Sequence, residues 1–461
     1  MGVFKAYDIR GIAGTELDSD FAERLGKALA THYDAGCVSV VRDIRESSPE
    51  YHEAFVRGLL SAGADVLDLG ISTTGVLYRS TVDLPVDVSV VITASHNPPE
   101  YNGFKICHGK MPVGGEELQD IRRTFESGEF RVGNGSYKSM EGYEEEYTES
   151  IIESIGSLSR DIRVVLDCGN AVPGPLAVRV LERLGVDVIP LYCDWDSTFP
   201  NHPPDPTRQE NMSDLSRAVL EHGAEFGIGM DGDGDRLGVV DENGSFIHPD
   251  RLMGIFVHDI LSGLPEDASE EQRTIFFDVK CSMALEEAIE DLGGVPRMVR
   301  TGHTFMKLEL RDHPTSSLAG EMSGHFFMND HWDGFDDAIY CAARLLGIVG
   351  MDPSPEQGGP KFSERFGFMP EYPTTDEGKI PLVGDRDEVM EGVANAFSDM
   401  PVSTVDGIRA RYKDGWFLCR PSNTEPILVM RAEGRDQDAL DSILSDISSR
   451  IGHIVDIEKL K

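Results

Sequence analysis

Two short polar segments place a hydroxyl and a set of carboxylates directly after apolar runs. Thr93-Ala94-Ser95-His96-Asn97-Pro98 follows Val88-Ser89-Val90-Val91-Ile92, and Asp231-Gly232-Asp233-Gly234-Asp235-Arg236 follows Phe226-Gly227-Ile228-Gly229-Met230. The first presents the hydroxyl of Ser95. In the second, glycines between Asp231, Asp233 and Asp235 remove Cβ clashes, so the backbone can curl the carboxylates onto one point. Magnesium takes near-octahedral oxygen coordination and often completes it with phosphate oxygens. An EF-hand would use Glu242, twelfth from Asp231, but its sixth position would be Arg236 where that loop needs Gly, and both flanks read as strands. A nucleophile and a metal site each stand beyond an expected strand, where open α/β sheets gather ligands. Phosphoryl chemistry is the first expectation.

Other segments fit that chemistry. Ser95 lacks a Gly-x-Ser-x-Gly elbow, which argues against a hydrolase triad. Asn97 and Lys105, the latter in Tyr101-Asn102-Gly103-Phe104-Lys105, are placed to hold a phosphate on the hydroxyl. Arg420-Pro421-Ser422-Asn423-Thr424-Glu425-Pro426 gathers a guanidinium, hydroxyls and an amide, donors matched to phosphate oxygens. In Gly320-Glu321-Met322-Ser323-Gly324-His325 a carboxylate two residues from a hydroxyl can grip adjacent sugar hydroxyls. Alone, the serine segment would read as an ordinary turn and the Glu321 segment as a helix N-cap turn. Thr301-Gly302-His303 is weaker, since a lone His is more often structural.

The elements that must position these residues are legible in the periodicity. Short β-branched runs alternate with amphipathic stretches from residue 1 to about 350, the pattern of βα units around a largely parallel sheet. Phe21–Ala30 and Glu50–Ser61 read as helices, Cys37–Arg42 and Val66–Leu69 as strands. Asp161–Asp167 begins a new strand after the acidic helix Glu144–Ser154. The stretch Gly238–Ile247 reads as a hairpin with an Asn-Gly turn, and Thr274–Val279 opens a third unit. The breaker-rich 351–360 reads as a linker. After it, strands Gly415–Arg420 and Ile427–Arg431 and helix Gln437–Ile451 look like a smaller α+β domain with an antiparallel sheet. The expected division is 1–148, 149–250, 251–356 and 357–461.

Composition narrows the class. At 461 residues and 40% hydrophobic, the chain is long enough for several cores of about 100–200 residues each. It has no uninterrupted apolar run of about 18 residues, and its N-terminus reads as neither a secretory signal nor, with Ala6, a myristoylation site. A cytoplasmic protein is expected. Cys37, Cys107, Cys168, Cys193, Cys281, Cys341 and Cys419 form no Cys-x-x-Cys pair, against a disulfide framework or zinc site. The net charge of −39 makes nucleic acid and anionic membrane poor partners. Its acids are dispersed, as on proteins from halophilic archaea or bacteria that work in concentrated salt.

Together with Ala6-Tyr7-Asp8-Ile9-Arg10-Gly11, these segments resemble the α-D-phosphohexomutase superfamily, in order and over essentially the whole chain. The Glu-Met-Ser-Gly-His loop, Thr301-Gly302-His303 and Trp332-Asp333-Gly334-Phe335-Asp336-Asp337 look most like the phosphomannomutase/phosphoglucomutase type; phosphoglucosamine mutases usually carry Gln where Met322 stands. The resemblance implies three similar mixed α/β domains and a smaller, more mobile C-terminal α+β domain around a central cleft. It implies phosphoryl transfer between C1 and C6 of mannose or glucose phosphates through a phosphorylated Ser95 and a 1,6-bisphosphate that turns over in the cleft. Asp231, Asp233, Asp235 and the Ser95 phosphate would hold Mg²⁺, with Arg236 offsetting charge. Arg10, Lys105 and His303 would orient the attacking hydroxyl and handle its proton. Tyr7 and Lys280 would line the cleft, with Glu321, Ser323 and His325 on the sugar and Arg420, Ser422, Asn423 and Thr424 on the distal phosphate. Glucose or mannose 1,6-bisphosphate would serve as activator, and the protein would be a monomer or weak homo-oligomer. A phosphoglucosamine mutase and a non-catalytic metal- or sugar-phosphate-binding protein are the alternatives.

Overall fold

The alternating pattern folds into four sheets in a computed structural model that describes residues 2–422 and 426–460. In spatial order the first sheet runs Ile9–Ile12, Tyr101–His108, Val88–Ile92, Cys37–Arg42, Asp65–Ile71 and Tyr137–Ser139, with Met111–Pro112 beside Tyr101–His108. The second runs Phe246–Ile247, Leu237–Asp241, Phe226–Met230, Arg163–Asp167 and Asp187–Leu191. The third runs Val295–Val299, Thr274–Asp278, Leu318–Gly320 and Phe326–Met328.

These three sheets share one plan. A run of parallel strands, four in the first sheet and three in each of the others, ends in a strand that turns back on itself to pair with an antiparallel neighbour, so each sheet is mixed where the periodicity suggested largely parallel pairing. Val88–Ile92 pairs with Tyr101–His108, Phe226–Met230 with Leu237–Asp241, and Leu318–Gly320 with Phe326–Met328. The three connections are the Ser95 segment, the Asp231–Arg236 segment and the Glu321–His325 segment. Each chemistry-bearing loop is therefore a hairpin connection at the same place in its domain.

Strand and helix boundaries have local causes. Val88–Ile92 and Phe226–Met230 are buried throughout, as strands covered on both faces must be, so they carry no polar alternation. The helix Ser19–His32 starts where Asp18 accepts from the Phe21 amide at 2.8 Å, and Gln437–Ile451 starts where Asp436 accepts from Ala439 at the same distance. Such caps contribute about 1 kcal/mol each.

The last sheet is wholly antiparallel: Gly378–Pro381, Ile427–Gly434, Gly415–Pro421, Ile408–Tyr412 and Val402–Ser403. Its core of Phe397, Phe417, Leu428, Ile443 and Ile447 is separate from the others. By contrast, one apolar cluster runs through the second and third sheets and reaches Val41, Leu69 and Val91 of the first. The first three units are packed as one body, and the fourth is docked onto it. All seven cysteines are free, six of them buried. Among the described residues no helix is long and apolar enough to cross a membrane.

Candidate active site

Ser95 sits in left-handed backbone, φ 50°, a conformation that costs a non-glycine residue about 1–3 kcal/mol and persists only where its surroundings impose it. Its side chain is buried and its Oγ donates to Asp231 Oδ2 at 2.7 Å. The serine loop and the carboxylate loop, 136 residues apart, thus meet through this hydrogen bond. A Cβ at Gly232 would collide with the Ser95 carbonyl, so only glycine permits this approach.

Asp231, Asp233 and Asp235 are buried and converge as the sequence predicts. Asp231 is held by its own loop: its Oδ1 accepts from the amides of Gly234, Asp235 and Arg236 at 3.0–3.1 Å. Thr74 of the first domain donates its hydroxyl to Asp233 Oδ2 at 2.7 Å, tying the loop directly to that domain. Asp233 Oδ1 is buried without a hydrogen-bond partner. A buried carboxylate oxygen without a partner is costly, and this acceptor-only oxygen set fits a hard divalent cation. Burial, then the Asp235 and Asp233 charges, push Asp231 well above the ordinary carboxylate range, which a bound cation would relieve.

Counterions are closer than the sequence suggested. Lys105 Nζ lies 2.6 Å from Asp233 and 2.5 Å from Asp235, while Arg236 Nε lies 4.0 Å from Asp231. Burial alone would strip the Lys105 charge, but Asp233 and Asp235 hold its pKa above the ordinary lysine value. Lys105 is therefore a fixed cation in the carboxylate cluster. Arg10 reaches the serine loop by donating to Asn97 Oδ1 at 2.6 Å and is anchored by Asp8.

The third hairpin loop supplies Glu321, which accepts from the Gly302 amide at 2.6 Å and contacts His325 Nδ1 at 3.0 Å. Ser323 Oγ lies 3.0 Å from the same nitrogen. Burial opposes a charge on His325, but Asp235 and Glu321 together outweigh it and lift the imidazole to about 9. His303 behaves in the opposite way: burial, then Lys307 and Lys105, push it well below the ordinary value, so it is neutral near pH 7. Its ring lies edge-on to Tyr7, with centroids 6.4 Å apart. Lys280 reaches Glu377 of the fourth domain at 3.3 Å.

In the fourth domain, Arg420 is buried and its Nε donates to Asp406 at 2.7 Å. The same Asp406 oxygen accepts from the Thr301 amide at 3.0 Å, so Arg420 is fixed relative to the loop that carries His303. Ser422 follows, its amide donating to Ile427; Asn423 and Thr424 lie outside the described residues. Sequence reasoning missed Asp406, Asp336, Lys307 and Arg45. Asp406 has no chemical motif around it. Asp336, buried 2.5 Å from Lys307 and 3.7 Å from His303, falls within a quoted segment but without an assigned role.

The site draws on every domain and can hold a divalent cation, a transferable phosphoryl group, vicinal hydroxyls and a second phosphate. Family models agree with this layout over nearly the whole chain. Models described as phosphoglucomutase/phosphomannomutase alpha/beta/alpha domains I, II and III match residues 1–132, 141–244 and 248–372, and the C-terminal domain model matches 377–449. A phosphomannomutase/phosphoglucomutase from Pseudomonas aeruginosa is 39% identical over 96% of this chain and 93% of its own length. A phosphoglucomutase from Neisseria meningitidis is 37% identical over 97% and 96%. A solved phosphoglucomutase/phosphomannomutase family protein from Burkholderia thailandensis superposes with a TM-score of 0.90 at 38% identity, over 98% of this chain and 97% of that one.

Proposed function

We infer that this chain, which belongs to the phosphoglucomutase/phosphomannomutase family and is a hexose-phosphate mutase, carries the transferred phosphoryl group on Ser95 and accepts both mannose and glucose phosphates. The observation that carries this reading is the 2.7 Å hydrogen bond from Ser95 Oγ to Asp231, inside a buried cluster with Asp233 and Asp235. Asp231, Asp233, Asp235 and the phosphorylated Ser95 would hold Mg²⁺. Such a cation withdraws charge from a phosphoryl group.

In the first half-reaction a sugar hydroxyl oxygen would bond to phosphorus as the bond to Ser95 Oγ breaks; in the second, Ser95 Oγ would bond to the phosphorus at the other end of the bisphosphate as its bond to the sugar oxygen breaks. In each half the attacking hydroxyl loses its proton and the leaving oxygen gains one, so the exchange balances. Of the three candidates for proton handling, Lys105 is committed to Asp233 and Asp235 and Arg10 to Asp8 and Asn97. His303 is neutral and its buried Nδ1 has no hydrogen-bond partner, which favours it as the acceptor. Glu321, Ser323 and His325 would hold the sugar hydroxyls, with Tyr7 and Lys280 lining the cleft. Arg420, Ser422, Asn423 and Thr424 would clamp the phosphate at rest. One clamp serves both half-reactions if the 1,6-bisphosphate turns end over end, and catalysis then rests on positioning and charge.

The proposed domain division is 1–148, 149–250, 251–356 and 357–461, which would give each unit at least one loop of the site. We place the protein in the cytoplasm of a cell with concentrated internal salt, on the strength of the −39 charge. The decisive measurement is a coupled assay with glucose 1-phosphate, mannose 1-phosphate and glucosamine 1-phosphate, each primed with the matching or glucose 1,6-bisphosphate. Mass analysis of the Ser95 peptide accompanies it. Turnover of both hexose phosphates with phosphate on Ser95 is expected; a clear preference for the glucosamine phosphate would overturn the specificity.

A further inference from the structure

The strained serine loop has an internal template that the sequence did not reveal. Arg45 is almost completely buried, with 1% of its surface exposed, beneath residues 95–101. Each donor position of its guanidinium is used. Nη2 donates to the carbonyls of Ser95 and Asn97 at 2.7 Å each, and Nη1 donates to those of Pro98 at 2.7 Å and Tyr101 at 3.0 Å. Nε donates to Asp43 Oδ2 at 3.1 Å. Asp43 is in turn fixed by Ser48 Oγ at 2.5 Å and by the Arg45 amide at 3.0 Å. On the other side, Phe199 of the second domain covers the guanidinium at 5.3 Å.

A planar fork that binds successive carbonyls dictates where those carbonyls point, and only an arginine has enough fixed donors to do so. The Ser95 carbonyl is therefore pinned between Arg45 Nη2 and the Gly232 backbone of the carboxylate loop. With its carbonyl fixed and its φ at 50°, the serine has its Oγ aimed at Asp231. We propose that Arg45 is a positioning residue for phosphoryl transfer: it holds the Ser95 loop in its left-handed conformation and so sets Oγ against the carboxylate cluster, without touching the substrate. The proposal rests on the reading of Ser95 as the phosphoryl carrier.

The test compares wild type, Arg45→Lys and Asp43→Asn. For each, the phosphate on the Ser95 peptide is measured by mass, the thermal midpoint is recorded, and kcat per phosphorylated molecule and KM for glucose 1-phosphate are determined. Lysine keeps the charge but loses the fork. Misplacement of a reacting atom by about 1 Å costs about a hundredfold, so kcat of Arg45→Lys should fall by about that factor. KM should stay within about twofold, because Arg420 and its loop are untouched. Asp43→Asn, which leaves the guanidinium in place but weakens its anchor, should lose about tenfold in kcat in the same sense. An arginine that served stability alone would lower the thermal midpoint while leaving kcat per phosphorylated molecule at the wild-type value, and that result overturns the proposal. If Arg45→Lys does not fold, Asp43→Asn decides by the same criterion. A wild type that turns over without phosphate on Ser95 overturns the carrier reading itself, and is distinguished from failure of the Arg45 role because the wild type alone reveals it.

Discussion

If Ser95 carries the phosphoryl group as proposed, deleting its hydroxyl removes the carrier, so Ser95→Ala should lose turnover down to the assay background. Its fold should survive. The change leaves the Asp231 oxygen short of one hydrogen bond, a cost of about 1–3 kcal/mol, which in a protein of this size moves the thermal midpoint by a few degrees. Wild-type turnover in that variant would refute the assignment. Asp233→Asn keeps an oxygen for Thr74 but removes a charge from the proposed cation site; the Mg²⁺ concentration for half-maximal activity should rise about tenfold or more, worth ~1.4 kcal/mol. An unchanged magnesium titration would make the carboxylate loop structural. Ser95 and the three aspartates were legible because their chemistry is written in neighbouring residues. Arg45, Asp406 and Asp336 were not, because each acts by reaching across the fold, Arg45 to carbonyls some fifty residues away, and nothing local marks a charged residue that will be buried.

At the scale of elements, strand ends were readable where hydrophobic runs stop, but the direction of pairing was not. A strand buried on both faces has the same apolar character whether its neighbour is parallel or antiparallel; Leu318–Gly320 and Phe326–Met328 are also too short to show a period. The hairpin nature of the three loops therefore emerged only in the fold. The docking of the fourth sheet was equally hidden. Arg409 donates to the Cys281 carbonyl at 3.0 Å and Arg431 to that of Lys280 at 2.5 Å, while Glu433 Oε1 accepts from the Met283 amide and Trp416 Nε1, both at 2.8 Å. These bonds hold the backbone that carries Lys280. Glu433→Ala orphans two buried donors at about 1–3 kcal/mol each, so the thermal midpoint should drop by several degrees. KM for glucose 1-phosphate and mannose 1-phosphate should rise together, because Arg420 is carried by the same sheet. Glu433→Gln keeps an acceptor and should restore most of both. A fall in stability with KM unchanged would show that this contact does not position the phosphate clamp.

The whole molecule carries a formal charge of −39, with 81 acidic residues against 42 lysines and arginines, and these acids act on the docking of four domains rather than on any one residue. At about 0.1 M salt the Debye length is ~10 Å, so acids across the surface repel one another; at 1 M it falls to ~3 Å and most of that repulsion is screened. Under the proposed reading salt would also weaken the attraction of Arg420 and Lys105 for phosphate, the opposite effect on activity. The first should prevail, because it sums over the whole surface, whereas Arg420 and Lys105 are buried and buried charges are screened much less. Activity and thermal midpoint should both rise between roughly 0.1 M and 2 M KCl, most steeply at the low end where the Debye length shortens fastest. The fourth domain, with its separate core and a docking surface that, among the described residues, joins only the buried apolar side chains of Val279 and Met283 to those of Trp416 and Leu418 beside its polar bonds, should be the first to loosen in dilute salt. KM for hexose phosphates should then rise before the main unfolding transition shifts. Salt-independent activity and midpoint across that range would refute a surface built for concentrated salt and leave the phosphoryl chemistry of Ser95 untouched.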